Sequence, residues 1–156
     1  MDILLPKHKE LLIELLLANI KFLLVGGYAV NFHGYIRSTN DLDIWLQPSN
    51  ENKLKLLDFL RSKKFNEDDL RFIENHDFEK PFVFHIYNSP QRVDFITILT
   101  GVNFEEAYDQ RKLLLLKDTA VPVIHLHHLI LTKKSTGRPQ DIADIQRLQE
   151  INKDKK

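Results

Sequence analysis

The chain has 156 residues, 43% of them hydrophobic and 28% charged, and its 22 basic and 22 acidic side chains cancel. That length fits one domain, and the composition excludes a disordered chain. With no cysteine, disulfide scaffolds and thiolate metal sites are excluded as well, and zero net charge argues mildly against a long nucleic acid, which would have to use a local basic patch.

In chain order, Lys7 to Ala18 reads as an amphipathic helix, with Pro6 near its start and Leu11, Leu12, Leu15 and Leu16 at helical spacing. The apolar run Leu11 to Ala18 is interrupted by Glu14, too short for a membrane span and unlike a signal peptide. Together with the missing cysteines this predicts a cytoplasmic protein. Lys21 to Val25 reads as a strand buried on both faces, and Gly26 and Gly27 follow it directly. Tyr28 to Gly34 is a short helix with Ala29, Val30 and Phe32 turned inward and His33 on its surface. Asp41 to Leu46 is the second strand. Alternation puts Asp41, Asp43 and Trp45 on one face and Leu42, Ile44 and Leu46 on the other.

Ser49 or Asn50 caps a helix running to about Lys63, with Leu54, Leu57, Phe59 and Leu60 on its inner side. Phe65 to Lys80 lacks a clean period and reads as a loop with one helical turn. Pro81 to Tyr87 and Arg92 to Leu99 read as strands joined by a tight connection, with Asp94 on the face opposite Val93 and Phe95. Asn103 to Asp109 is a short helix. Lys112 to Leu116 and Thr119 to Ile124 follow as strands, Pro122 confining the second to an edge. His125 to Lys134 forms a helix broken at Gly137. Pro139 opens the last helix, with Ile142, Ile145 and Leu148 as its stripe, and Lys153 to Lys156 fray. The order predicts an α/β (α+β) domain over residues 1–156: a mixed β-sheet with helices packed on one face, a core at about 19–124 and a helical portion at about 125–153.

Two carboxylates on one strand face stand roughly 6.6 Å apart along the strand. Folding does not favour such a pair, since like charges repel and unpaired burial costs several kcal/mol. A divalent cation reverses the sign of that effect. Oxygen-only donors beside a diglycine turn suited to phosphate point to magnesium carrying a nucleoside triphosphate.

The apolar strand with Gly26-Gly27, the lead-in Arg37-Ser38-Thr39, the pair Asp41-Leu42-Asp43 and the later Arg92-Val93-Asp94 together resemble the signature of the nucleotidyltransferase fold, the DNA polymerase β-like superfamily. The likeness extends to its small bacterial members, including those of toxin–antitoxin pairs, and a late Lys133…Gly137-Arg138-Pro139-Gln140-Asp141…Asp144 run carries it over nearly the whole chain. The family often has Ser after its two glycines, where this chain has Tyr28. The resemblance implies catalytic and metal-binding roles for Asp41, Asp43 and Asp94 around two magnesium ions. It implies nucleotide contacts from Gly26, Gly27, Arg37, Thr39 and Lys133. The implied reaction moves a nucleoside monophosphate from a triphosphate to a hydroxyl on a protein, an RNA end or a small molecule, with a cognate toxin or antitoxin partner in view and no membrane. The alternative is a catalytically silent module that binds nucleotide and metal within such a pair.

Other residues admit plainer readings. Arg37 either steadies phosphate or orients an acid, and Lys133 is either a triphosphate contact or a helix-end lysine. Arg138 and Asp141 read as architectural at the start of the last helix, where the dipole favours an acid. His125, His127 and His128 read as a helix start, because adjacent helical positions diverge and no second ligand cluster accompanies them. Trp45 packs at a strand end or stacks on a base. No Walker-type loop and no Ser-His-Asp arrangement is present.

Overall fold

The computed structural model describes residues 4–39 and 41–154. Helix α1 (Pro6–Leu17) starts with Pro6 in its first turn and buries His8, Leu11, Leu12 and Leu15, the i, i+3, i+4, i+7 positions of one face. Strand β1 (Phe22–Val25) is buried at every position. Helix α2 (Gly26–Phe32) begins on the next residue with no linker. Strand β2 (Leu42–Leu46) starts one residue later than the sequence implies, leaving Asp41 in the bend before it.

Helix α3 (Asn50–Ser62) is capped by Ser49, whose side chain accepts from the Asn52 N–H, and Leu54 lies outward, 58% exposed, contrary to its expected inner placement. Its neighbours Leu56 and Leu57 occupy the inner face instead. The stretch expected as a loop holds helix α4 (Glu67–Glu74), capped by Asn66, with Glu67, Asp68 and Asp69 in the turn where the dipole favours them. Only Leu70 and Ile73 are buried there, too sparse a stripe to show as a period. Strands β3 (Val83–Ile86) and β4 (Val93–Ile96), helix α5 (Phe104–Asp109), and strands β5 (Lys112–Leu116) and β6 (Thr119–Val123) follow. Helix α6 (Leu126–Thr136) ends on Gly137 at φ 60°, the left-handed stop that glycine adopts without strain, and α7 (Pro139–Asn152) closes the chain. Lys155 and Lys156, part of the expected frayed end, lie outside the described residues.

The six strands form one mixed sheet in the order β3-β4-β2-β1-β6-β5, confirming the α/β (α+β) class. β2 runs parallel to β4 and β1 parallel to β6, while the other neighbours are antiparallel. Pro122 therefore sits in an interior strand and not at an edge. Ile124 donates to the Leu24 carbonyl, so by strand alternation the position of Pro122 that lacks N–H also faces β1. The β1–β6 ladder is short, registered at Leu24–Val123, and does not call on that donor.

The core is continuous from α1 through the sheet. Trp45 is 1% exposed, donates its indole N–H to the Thr97 carbonyl at 2.9 Å and meets the Phe104 ring edge-on, so it is a packed strand residue and not a base platform. Burial of a side chain of this size contributes about 1.5–3 kcal/mol. Ile142, expected on the inner stripe of α7, is half-exposed, and the buried positions of that helix are Asp141, Asp144 and Leu148. No helix among the described residues is long and apolar enough to cross a membrane.

Candidate active site

The acids meet because of strand register. β2 pairs with β4 so that Asp43 lies directly beside Asp94, and β1 pairs with β2 so that Val25 lies beside Asp43 on the other side. The β1–α2 turn thus passes over the Asp43 carboxylate. Gly26 has φ +68°, and a Cβ there would stand 2.8 Å from both Cβ and Cγ of Asp43; a Cβ on Gly27 would stand 2.7 Å from Cβ of Thr39. Both glycines are required by close approach, one of them also by its backbone conformation. The first turn of α2 has no side-chain cap.

Asp41, Asp43 and Asp94 line one lobe of a cleft of about 690 Å³, whose far wall is apolar, with Val83, Ile96, Leu99 and Leu129. A second lobe of about 390 Å³ is polar and is lined by Gly26, Gly27, Arg37, Thr39, Lys133 and Arg138 together with Asp41 and Asp43. Asp41 and Asp43 border both lobes; Asp94 borders only the first.

The Asp43 carboxylate makes no hydrogen bond to a described residue. Burial, with the neighbouring charges of Asp94 and Asp41, pushes its carboxyl up to about 7, partly offset by Lys133 and Arg138. Asp94 instead accepts from Arg92, with Nε at 3.1 Å and Nη2 at 3.0 Å from Oδ1. The predicted cations are positioned by a second acidic layer. Arg37 makes a two-pronged bond to Asp144 at 2.9 Å on each oxygen, and Lys133 lies 2.8 Å from Asp144 and 3.4 Å from Asp141. Arg138 and Thr136 donate to Asp141 at 2.8 and 2.7 Å. For Asp141 and Asp144 alike, burial alone would raise the pKa, but these hydrogen bonds hold both below the usual carboxylate range.

Both Lys133 and Arg138 are paired with acids and border both lobes, but Lys133 is 7% exposed whereas the Arg138 side chain is 73% exposed. The sequence alone reads Arg138 as architectural; its place one residue before Pro139, the opener of α7, at the mouth of the cleft, is the signal that could have found it. Tyr28 is turned away from the cleft, its hydroxyl 3.2 Å from His8 Nδ1 in the core. His33 bonds the Ile124 carbonyl at 2.7 Å, and His125 caps α6 by accepting from the His127 N–H at 3.0 Å.

Among the described residues no three His, Cys, Asp or Glu side chains already enclose a metal position. The chemistry of the donors nevertheless fits a hard divalent cation: three carboxylates and no nitrogen or sulfur, with the central one raised by burial and by the charge of its two neighbours. A family model described as nucleotidyltransferase of unknown function (DUF6036) matches residues 8–153. No curated protein matches the chain.

Proposed function

The chain belongs to this family of nucleotidyltransferases of unknown function, and we propose that it is a magnesium-dependent enzyme that transfers a nucleoside monophosphate from a triphosphate to a hydroxyl acceptor. The observation that carries this reading is the placement of Asp43 beside Asp94, with Asp41 at the same lobe and the glycine turn pressed against Asp43. Asp41, Asp43 and Asp94 would hold magnesium, which when bound neutralises phosphate charge and lowers the pKa of a coordinated hydroxyl. The polar lobe takes the triphosphate, with the Gly26 and Gly27 amides and the exposed Arg138 guanidinium toward its oxygens. Arg37 and Lys133 act chiefly by fixing the loop before Asp41 to α7. Asp94 faces the apolar lobe, where the acceptor enters, and accepts the hydroxyl proton. The acceptor oxygen bonds to the α-phosphorus as the bond to the departing pyrophosphate breaks. A hydroxyl on a protein, an RNA end or a small molecule satisfies this chemistry; the sequence resemblance suggests a protein or RNA acceptor first, and a cognate toxin or antitoxin as a partner.

Incubation with each α-labelled nucleoside triphosphate, magnesium, and either RNA or protein extract tests it. Label transfer that Asp43→Asn abolishes supports the enzyme. Magnesium-dependent nucleotide binding with no transfer to any acceptor supports the silent module. Absence of metal-dependent nucleotide binding defeats both.

A further inference from the structure

A groove of about 930 Å³ lies away from the acids, between α1 and the edge strand β5. Its floor is apolar, with Leu4 and Ile13 on one side and Leu114 and Leu116 on the other. Glu14, on its α1 rim, is already held by Lys63. Leu113 and Leu115, on the opposite face of β5, are 55% and 72% exposed. Antiparallel ladders alternate their hydrogen-bonded pairs. Ile124 points its N–H at β1, so Val121 and Val123 point theirs at Leu114 and Lys112, and the N–H and C=O groups of Leu113 and Leu115 are directed outward. β5 thus has an open edge with no proline, bulge or charge within its four leucines, the devices that usually block strand addition.

Charge selects the occupant. Arg111 and Lys112 stand at one end of the leucines and Lys117 at the other, and neither lysine makes an ion pair with a described residue. In a two-fold pairing of two copies centred on Leu114, Arg111 of one copy would oppose Lys117 of the other at both ends, which is destabilising. A strand with acidic ends meets the opposite charge instead. We propose that the β5 edge and its groove dock an extended segment of a partner protein, apolar at alternating positions and acidic at both ends, added as a seventh strand.

The test uses the full chain and two fluorescein-labelled peptides of alternating Val and Thr, one flanked by Glu pairs and one by Lys pairs, followed by anisotropy. The Glu-flanked peptide is expected to bind at least about ten-fold more tightly, with the difference shrinking in high salt. The double variant Lys112→Glu, Lys117→Glu, which leaves the β6 ladder intact, should reverse the preference. Leu115→Pro removes one outward N–H and should abolish binding of either peptide. Equal affinities, no binding, or a preference unmoved by the charge swap overturns the proposal. So does sedimentation showing a dimer that Leu115→Pro dissociates, which would give the edge to a second copy.

Discussion

Arg37 and Asp144 are 107 residues apart in sequence and joined by two parallel hydrogen bonds of 2.9 Å, with the Asp144 side chain fully buried. The same carboxylate also holds Lys133 at 2.8 Å and accepts from Gln140. One acid therefore ties the segment before Asp41 to α6 and α7. Asp144→Ala would leave two cations without their shared partner in a buried setting, and removing one side of such a pair costs about 3–5 kcal/mol. Asp144→Asn, which keeps hydrogen bonding but not charge, should lose less. Thermal melts of both variants decide the matter; an Asp144→Ala protein as stable as the parent would mean the network is solvent-relaxed.

Asp43 sets a pH dependence of the opposite kind. Its carboxyl stands near 7 in the folded protein against 3.8 in a free chain, so the native state binds its proton more tightly. Stability of the metal-free protein then falls as pH rises through the window from 3.8 to about 7, by about 4 kcal/mol at most. Asp43→Asn should remove that slope, raising the metal-free melting temperature at pH 8 and leaving it nearly unchanged at pH 4. A lower melting temperature for the variant at pH 8 would identify Asp43 as a structural residue. In the parent, added magnesium should restore stability at pH 8; in the variant it should not.

Much of this site could be read from local pattern. The two-residue alternation placed Asp43 on the same face as Trp45 and Asp94 opposite Phe95, and the diglycine turn marked a close approach. What local pattern does not contain is the β2–β4 pairing itself, a parallel contact between strands separated by α3, α4 and β3. For the same reason the double hold of Asp144 on Arg37 and Lys133 is not visible there, whereas the Arg92–Asp94 bond joins two residues that alternation already places on one strand face. α7 misled in a specific way: its Ile142 satisfies helical spacing but the inward positions are taken by Asp141 and Asp144, because their buried cation partners come from elsewhere in the chain. Pro122 misled because a proline can occupy an interior strand when the neighbouring ladder does not reach its nitrogen.

His8 supplies a second, independent pH effect. It is 1% exposed, and its Nδ1 lies 3.2 Å from the Tyr28 hydroxyl. Burial lowers its pKa from 6.5, while the Gln91 and Arg92 carbonyls and the Asp41 charge pull the other way without cancelling it. A folded-state pKa below the unfolded value means that the unfolded chain binds the extra proton first. Stability should therefore fall as pH drops from 6.5 toward the lowered value. His8→Leu should flatten the melting temperature between pH 5 and 7 relative to the parent, after subtraction of the Asp43 slope measured in the Asp43→Asn background. An unchanged acid limb would assign it to another group.

The glycine turn gives the sharpest separation of folding from function. Alanine at position 26 would have to adopt a left-handed backbone, which costs about 1–2 kcal/mol, and its Cβ would displace the Asp43 carboxylate. Alanine at position 27 meets no backbone penalty of that kind but pushes on Thr39, on the segment that leads to Asp41. Gly26→Ala should therefore lose both stability and metal-dependent nucleotide binding. Gly27→Ala should lose binding by about ten-fold or more with a smaller change in melting temperature. Titration with manganese and a non-hydrolysable triphosphate, read beside the melts, checks both. If Gly26→Ala binds as well as the parent, the turn is not holding Asp43 against the nucleotide, and the phosphate end of the cleft must be sought at Arg138 alone.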